Sequence, residues 1–198
     1  MMSWENDRTI AYYNAQGESY YARTVGVDMA ANRDRFLGLV QPGGRIMDLG
    51  AGSGRDLAVF RQRGFAAEGL EASEVLCRLA GQHAGVRVVC QRLQDWQGEQ
   101  LYDGIWANAV LLHLTKGECR KFLGRVGDCL APEGIFYFSL KCGIVTGMDG
   151  EGRYFANYSP QEIRQLVQGS GLNLLELWES GDLLQRQGFC WVNVLAKK

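Results

Sequence analysis

The chain has 198 residues, 46% of them apolar and 22% charged, with a formal net charge of −1. That apolar share supports a sizeable buried core, and a single domain is the expectation at this length. The near-neutral balance and lack of a basic patch argue against nucleic acid or an anionic membrane as partner, and no apolar run approaches a bilayer span.

The opening, Met1-Met2-Ser3-Trp4-Glu5-Asn6-Asp7, shows no basic segment leading into an apolar stretch, so a cytoplasmic location is expected. Tyr12-Tyr13-Asn14-Ala15-Gln16-Gly17-Glu18-Ser19-Tyr20-Tyr21-Ala22-Arg23-Thr24 carries more aromatics than a leader needs, and a helical pattern follows at Met29, Phe36, Leu37 and Val40. Strands are predicted near 45–49, 65–70, 86–90, 103–108, 134–140, 172–178 and 188–196, with helices between them, an alternation typical of a parallel α/β sheet. Thr115-x-x-Glu118 and Ser159-Pro160-x-Glu162 read as capping boxes, the second with proline at the first helical position. Cys119, Phe122, Leu123, Val126 and Leu130, and later Ile163, Leu166 and Val167, then recur at helical spacing and give each helix an apolar face for the sheet. Gly169 and Gly171 end the later helix. Glu179 to Gly188 contains no crossover helix, which predicts an antiparallel pairing of the last two strands.

Residues 141–158 are irregular, and long irregular connections in compact domains tend to be functional. They are expected to form either a surface hairpin held by Tyr154 and Phe155 or a substrate lid at the C-terminal edge of the fifth strand. Cys77, Cys90, Cys119, Cys129, Cys142 and Cys190 form no C-x-x-C pair, and with only His83 and His113 beside them they give no metal pattern. They are expected to be reduced and mostly buried.

The most informative stretch is Arg45-Ile46-Met47-Asp48-Leu49-Gly50-Ala51-Gly52-Ser53-Gly54-Arg55-Asp56. A predicted strand feeds a turn with glycine at every second position, and a helical pattern at Leu57, Ala58 and Phe60 starts at once, so backbone can approach a ligand at a helix N-terminus. A dinucleotide site wants G-x-G-x-x-G. Here Arg55 stands where the third glycine would be, and Asp48 lies two residues before the first. A carboxylate there repels a diphosphate but suits a ligand with an ammonium and a sulfonium group, as S-adenosylmethionine has. Glu71 ends the next apolar run (Phe65, Ala66, Ala67, Leu70), where an acid can accept from both ribose hydroxyls of either NAD or S-adenosylmethionine.

Asp48-Leu49-Gly50-Ala51-Gly52-Ser53-Gly54 with Glu71, then Tyr102-Asp103-Gly104-Ile105-Trp106-Ala107-Asn108-Ala109-Val110-Leu111-Leu112-His113, then Leu130-Ala131-Pro132-Glu133-Gly134-Ile135-Phe136-Tyr137-Phe138-Ser139, resemble in order and spacing a class I S-adenosylmethionine-dependent methyltransferase. More narrowly, through Gly52-Ser53-Gly54-Arg55-Asp56, Ile105-Trp106-Ala107 and Gly152-Arg153-Tyr154-Phe155, the chain is similar to small bacterial methyltransferases of the tellurite-resistance type and their uncharacterised relatives, from roughly residue 10 to the end. The resemblance implies an α/β Rossmann-like fold: a seven-stranded, mostly parallel sheet with helices on both faces and an antiparallel C-terminal strand. It implies one domain over 1–198, with 1–40 as an N-terminal cap and 141–158 as a substrate loop. By the same resemblance Asp48, Gly50, Ala51 and Gly52 hold the methionine portion, and Arg55 and Arg23 reach its carboxylate. Glu71 takes the ribose, Ala72 adds a backbone contact, and Tyr13 and Tyr20 close over the cofactor. At the adenine, Gln91-Arg92 replaces the Gly-Asp of many relatives; Leu93 would offer a backbone amide, and Gln94 or Asp95 would accept from the amino group. Asn108 should line the methionine and the transferring methyl. His113, one helical turn on, is a candidate base, a substrate hydrogen bond or a packed side chain.

The expected function is methyl transfer from S-adenosylmethionine to a small-molecule acceptor by in-line displacement, without a metal, in a monomer or weak homodimer. No N-P-P-Y type motif or added recognition domain points to protein or nucleic acid. The competing expectations are an S-adenosylmethionine-binding protein without turnover and a nicotinamide-dependent oxidoreductase.

Overall fold

A computed structural model describes residues 4–98, 100–186 and 188–198. The chain opens with helices Trp4–Ala15 (α1) and Gly17–Thr24 (α2), then Ala30–Leu37 (α3). Only α3 was signalled by apolar spacing. The buried residues of α1 are Asn6 and Thr9, so its inward face carries no apolar stripe to read.

From there strands and helices alternate: Arg45–Leu49 (β1), Arg55–Gln62 (α4), Ala66–Glu71 (β2), Glu74–Ala84 (α5), Val88–Cys90 (β3), Tyr102–Ala107 (β4), Lys116–Cys129 (α6) and Leu130–Cys142 (β5). A short hairpin, Gly147–Met148 (β6) with Tyr154–Phe155 (β7), precedes Pro160–Gln168 (α7), Asn173–Gly181 (β8) and Cys190–Lys197 (β9). The capping boxes at Thr115 and Ser159 both form, each side chain accepting the backbone N–H three residues on while Glu118 or Glu162 reaches back.

The main sheet has seven strands in the order β3-β2-β1-β4-β5-β9-β8. All neighbours are parallel except those of β9, which runs antiparallel to both β5 and β8. This is the Rossmann-like arrangement that the resemblance implies. Period-2 alternation sends successive side chains of the central strands to opposite faces. Met47, Leu49, Ile105, Phe136 and Phe138 pack with Phe122 and Val126 of α6 and Ile163 of α7. Ile46, Trp106, Ile135 and Tyr137 pack with Phe36 of α3 and Leu57 and Phe60 of α4. Gly104 admits α3 to the sheet: a Cβ there would lie 2.6 Å from Phe36 Cζ and 2.9 Å from Val40.

The cysteine expectation needs correction. β5 runs past residue 140 to Cys142, and β9 pairs with it so that Cys142 and Cys190 stand opposite each other, Cα atoms 5.2 Å apart, and are joined as a disulfide. The antiparallel register creates that pair, which no sequence spacing announces. Cys77, Cys90, Cys119 and Cys129 are free. No helix among the described residues is long and apolar enough to cross a membrane.

One buried ionic knot holds α3 and α4 to β4. Asp56 accepts from Arg33 (2.7 Å), from Arg55 Nε and Nη2 (3.0 and 2.8 Å) and from the Trp106 indole (3.2 Å). Burial alone would push this carboxyl up, but the Arg55 and Arg33 guanidinium groups outweigh it and hold Asp56 below the usual range. Removing one member of such a pair strands the other charge in the interior. Asp56→Ala is therefore expected to lower the unfolding free energy by about 3–5 kcal/mol in urea titrations. Asp34→Ala, which breaks the exposed pair with Arg63, should cost under about 1 kcal/mol.

Candidate active site

The chain leaves β1 outward through β2 and β3 and returns to β4 on the other side of β1, so the connections after β1 and β4 diverge and open a crevice at their C-terminal ends. A cavity of about 410 Å³ occupies it, bounded by Asp48 and the glycine turn after β1, by Asn108 and Ala109 after β4, and by side chains of β5 and β9. A smaller cavity of about 90 Å³ adjoins it at the end of β2.

The turn is built from left-handed glycines: Gly50, Gly52 and Gly54 have φ of +70°, +56° and +76°. The N–H groups of Gly50 and Ala51 both donate to Leu70 O, at 2.8 and 3.0 Å, which pins the turn to the end of β2. A Cβ on Gly50 would stand 2.4 Å from Val110 Cγ2; one on Gly54 would stand 2.7 Å from Ala80 O in α5. Gly54 thus lets the start of α4 pass close over α5.

Glu71 ties the turn to the second strand. Its Oε2 accepts from Gly52 N and its Oε1 from Ser73 N, both at 2.9 Å. Burial raises its pKa, and the Ser73 and Gly52 amides pull against that rise. Asp48 is also buried, and its carboxyl is raised well above the usual value by burial first and by Asp56 next. Asp48 Oδ2 has no hydrogen-bond partner among the described residues. Asn108 accepts from Ser139 Oγ at 2.8 Å, and the same hydroxyl accepts from Ala109 N, holding Ala109 at a φ of +56°. A non-glycine residue in that conformation is strained, as is common beside ligands.

Helices α1 and α2 and the β6–β7 hairpin form the roof. Tyr13 and Tyr20 meet edge to face at 5.3 Å, and the Tyr13 hydroxyl reaches His113 Nε2 at 3.0 Å. His113 Nδ1 lies 2.7 Å from Tyr154 O. A carbonyl only accepts, so Nδ1 carries the proton and Nε2 accepts from Tyr13. Burial pulls the imidazole down to about 4, so it is neutral near pH 7. Tyr154 N donates to Thr9 Oγ1 at 2.9 Å, fastening the hairpin to α1.

Of the residues expected from sequence, Asp48, Gly50, Ala51, Gly52, Arg55, Asn108, Tyr13, Tyr20 and His113 line the larger cavity, and Glu71, Ala72, Leu93 and Gln94 the smaller. Arg23 is not brought there. Thr24, one turn on from Tyr20, takes the inward position, while Arg23 is exposed and donates to Ser19 O at 3.3 Å. Arg55 borders the cavity with its fork on Asp56 and Nη1 directed at Thr24 O rather than held open for a ligand. Sequence reasoning missed Asn32, Ser139, Arg186 and Asn193 and singled out neither Lys141 nor Arg153 within the 141–158 loop; all six are on the cavity wall. Polar residues at alternate positions of an apolar strand, Ser139 and Lys141, were the available signal.

The family described as Methyltransferase domain matches residues 21–177, most of the chain. The chain belongs to this methyltransferase family. No curated protein sequence matches it. Among solved structures, the methyltransferase is similar to the 1,6-didemethyltoxoflavin-N1-methyltransferase of Burkholderia thailandensis, bound to 1,6-didemethyltoxoflavin and S-adenosylhomocysteine, with TM-score 0.74 and 23% identity over 95% of this chain and 88% of that one. It is also similar to magnesium protoporphyrin IX methyltransferase from Synechocystis PCC 6803, with S-adenosylhomocysteine bound, at TM-score 0.75 and 16% identity over 98% and 99% of the two chains. The cyclase SpnF shares the fold at TM-score 0.67 and 16% identity over 85% and 80%. At these identities the likenesses show the fold.

As a family member the protein is an S-adenosylmethionine-dependent methyltransferase. Its crevice fits that cofactor. The orphaned Asp48 oxygen wants a donor or cation, the glycine turn leaves backbone bare where side chains would collide, and Glu71 keeps lone pairs for further donors.

The lowered imidazole has a consequence for stability. The unfolded chain binds a proton at His113 near the ordinary 6.5 while the folded one waits until about 4, so stability is full above the first value and falls as pH drops toward the second. The loss expected from His113 is roughly 3 kcal/mol. Thermal melts of the wild type should therefore fall more steeply over that interval than those of His113→Gln.

Proposed function

We propose that this methyltransferase methylates a small molecule held in the larger cavity, with the chain acting as one domain, residues 1–40 as cap and residues 141–158 as wall. The observation that carries this reading is the roof. Tyr13, Tyr20 and the hairpin cover one side of a space of about 410 Å³, on the scale of small-molecule sites. The structural neighbours give the tellurite-resistance subgroup no separate support, and the proposal does not depend on it.

In this reading Glu71 receives the ribose hydroxyls on its remaining lone pairs, and Ala72, Leu93 and Gln94 bound the adenine. The methionine part passes over Gly50 and Gly52 toward Asp48, whose unpaired oxygen receives the ammonium. When bound, the cofactor supplies an electrophilic methyl group on a sulfonium. The protein's own contribution is placement. Asn108, with its oxygen engaged by Ser139, directs its amide N–H groups at the reacting end, and the tyrosine roof excludes water. Fixing the acceptor in line can account for about 7–11 kcal/mol of the barrier. His113 acts through Tyr13: both of its nitrogens are engaged, so it fixes where the tyrosine hydroxyl stands on the cavity wall and is not free to act as a base.

Label carried on the cofactor methyl is expected to pass to the small-molecule fraction of a metabolite extract; label found only in protein or nucleic acid would overturn the proposal. NADH should leave the melting temperature unchanged while S-adenosylhomocysteine raises it. Glu71→Gln removes the charge from the ribose contacts and should weaken S-adenosylhomocysteine about ten- to a hundredfold by calorimetry.

A further inference from the structure

Alternation along β5 places Tyr137, Ser139 and Lys141 on one face, and the last two open on the cavity. Lys141 is only 8% exposed. Its ammonium sits 3.3 Å from the ring centroid of Phe189 and 5.4 Å from that of Phe155, between two aromatic faces. Among the described residues it has no carboxylate partner and no hydrogen-bond acceptor. Ring faces attract a cation but leave its N–H groups unsatisfied, and a buried ammonium without an anion is costly.

The surrounding charges do not supply that anion. Arg153 and Arg186 line the same cavity, but Asp149 and Glu151 hold the first, at 2.7 and 2.6 Å, and Asp182 holds the second at 2.6 Å. The charged groups that face Lys141 are thus Arg186, Arg153, Asp182 and Asp149, already matched among themselves; burial first, and then the two arginines, lower the lysine's pKa, while the two aspartates pull the other way. The cofactor is also a poor candidate. Its methionine end belongs at the turn after β1, and β4 lies between β1 and β5, so Lys141 stands two strands away, about 10 Å. Phe155 and Trp191 flank the position on the acceptor side.

We infer that the methyl acceptor is a small organic acid with a flat apolar body, its carboxylate paired with Lys141 and its body against Phe155 and Trp191. The carboxylate is a handle for binding and not the atom methylated. This inference rests on the small-molecule reading above and names the chemical class that the site selects.

The test uses the full chain saturated with S-adenosylhomocysteine and two matched probe pairs, benzoate against benzamide and phenylacetate against phenylacetamide, titrated at millimolar concentration by calorimetry. The acids are expected to bind at least about tenfold more tightly than the amides. Lys141→Met should erase that preference and Lys141→Arg should retain it, while both bind S-adenosylhomocysteine as the wild type does. Equal binding of acids and amides to the wild type, or no binding of either acid, overturns the inference without need of a variant. So does a preference that survives in Lys141→Met, or a tenfold loss of S-adenosylhomocysteine affinity there, which would assign the lysine to the cofactor. If the acid preference is absent while label from the cofactor still reaches a neutral metabolite, the small-molecule reading stands and only the anionic class falls. If S-adenosylhomocysteine itself fails to bind, the earlier reading falls as well.

Discussion

The crevice depends on one buried carboxylate. Glu71 accepts the Gly52 amide with one oxygen and the Ser73 amide with the other, so the turn after β1 and the turn after β2 share an acceptor. Backbone N–H groups in a sharp turn have no partners of their own, and leaving them unpaired in the interior costs more than the bonds return. Glu71 adds a side-chain acceptor to a turn that the Gly50 and Ala51 amides already pin to Leu70 O. The same acid fixes how far the roof descends, because Ser73, whose amide it holds, donates its hydroxyl to Asn14 at the end of α1 at 2.8 Å.

The site is built with two kinds of charge. Some groups are neutralised where they stand: Asp56 by Arg33 and Arg55, Arg153 by Asp149 and Glu151, Arg186 by Asp182. These organise the walls and keep the chain nearly neutral inside. Among the described residues two groups are left unpaired: one Asp48 oxygen beside the turn and the Lys141 ammonium on β5. Both line one cavity, and in the proposed reading the first receives the ammonium of the methyl donor and the second the carboxylate of the acceptor. Between them the Tyr13–His113–Tyr154 chain of hydrogen bonds is neutral and closed at both ends, which suits a positioning role.

The fold alone does not select the chemistry. A cyclase shares this architecture with methyltransferases of a toxoflavin precursor and of a porphyrin, so what distinguishes this protein must lie in the walls that β5, β9 and the hairpin bring to the cavity. The disulfide between Cys142 and Cys190 closes the same edge, immediately after Lys141 and before Trp191. The polar positions of that edge are therefore set by the antiparallel β5–β9 register and held by a covalent link.

Much of the turn that borders the crevice was legible in the sequence because it is local. Asp48, the glycines at 50, 52 and 54, and Glu71 lie within two consecutive strand–turn units, where spacing alone determines which atoms meet. The strands, the two capping boxes and the antiparallel end were readable for the same reason: each rests on periodicity or on a contact a few residues long. The far wall of the cavity was decided only by the tertiary structure. Lys141, Arg153, Asn193 and Asn32 come from four separate elements, and nothing in their spacing says that they share a cavity. Helix α1 escaped notice because it buries polar residues, Arg23 was misplaced because one position around a helix turns a side chain outward, and the Cys142–Cys190 pair waited on a register that forms only when the last strand enters the sheet. Short-range geometry is written in the order of residues, whereas contacts across the sheet depend on how the layers pack.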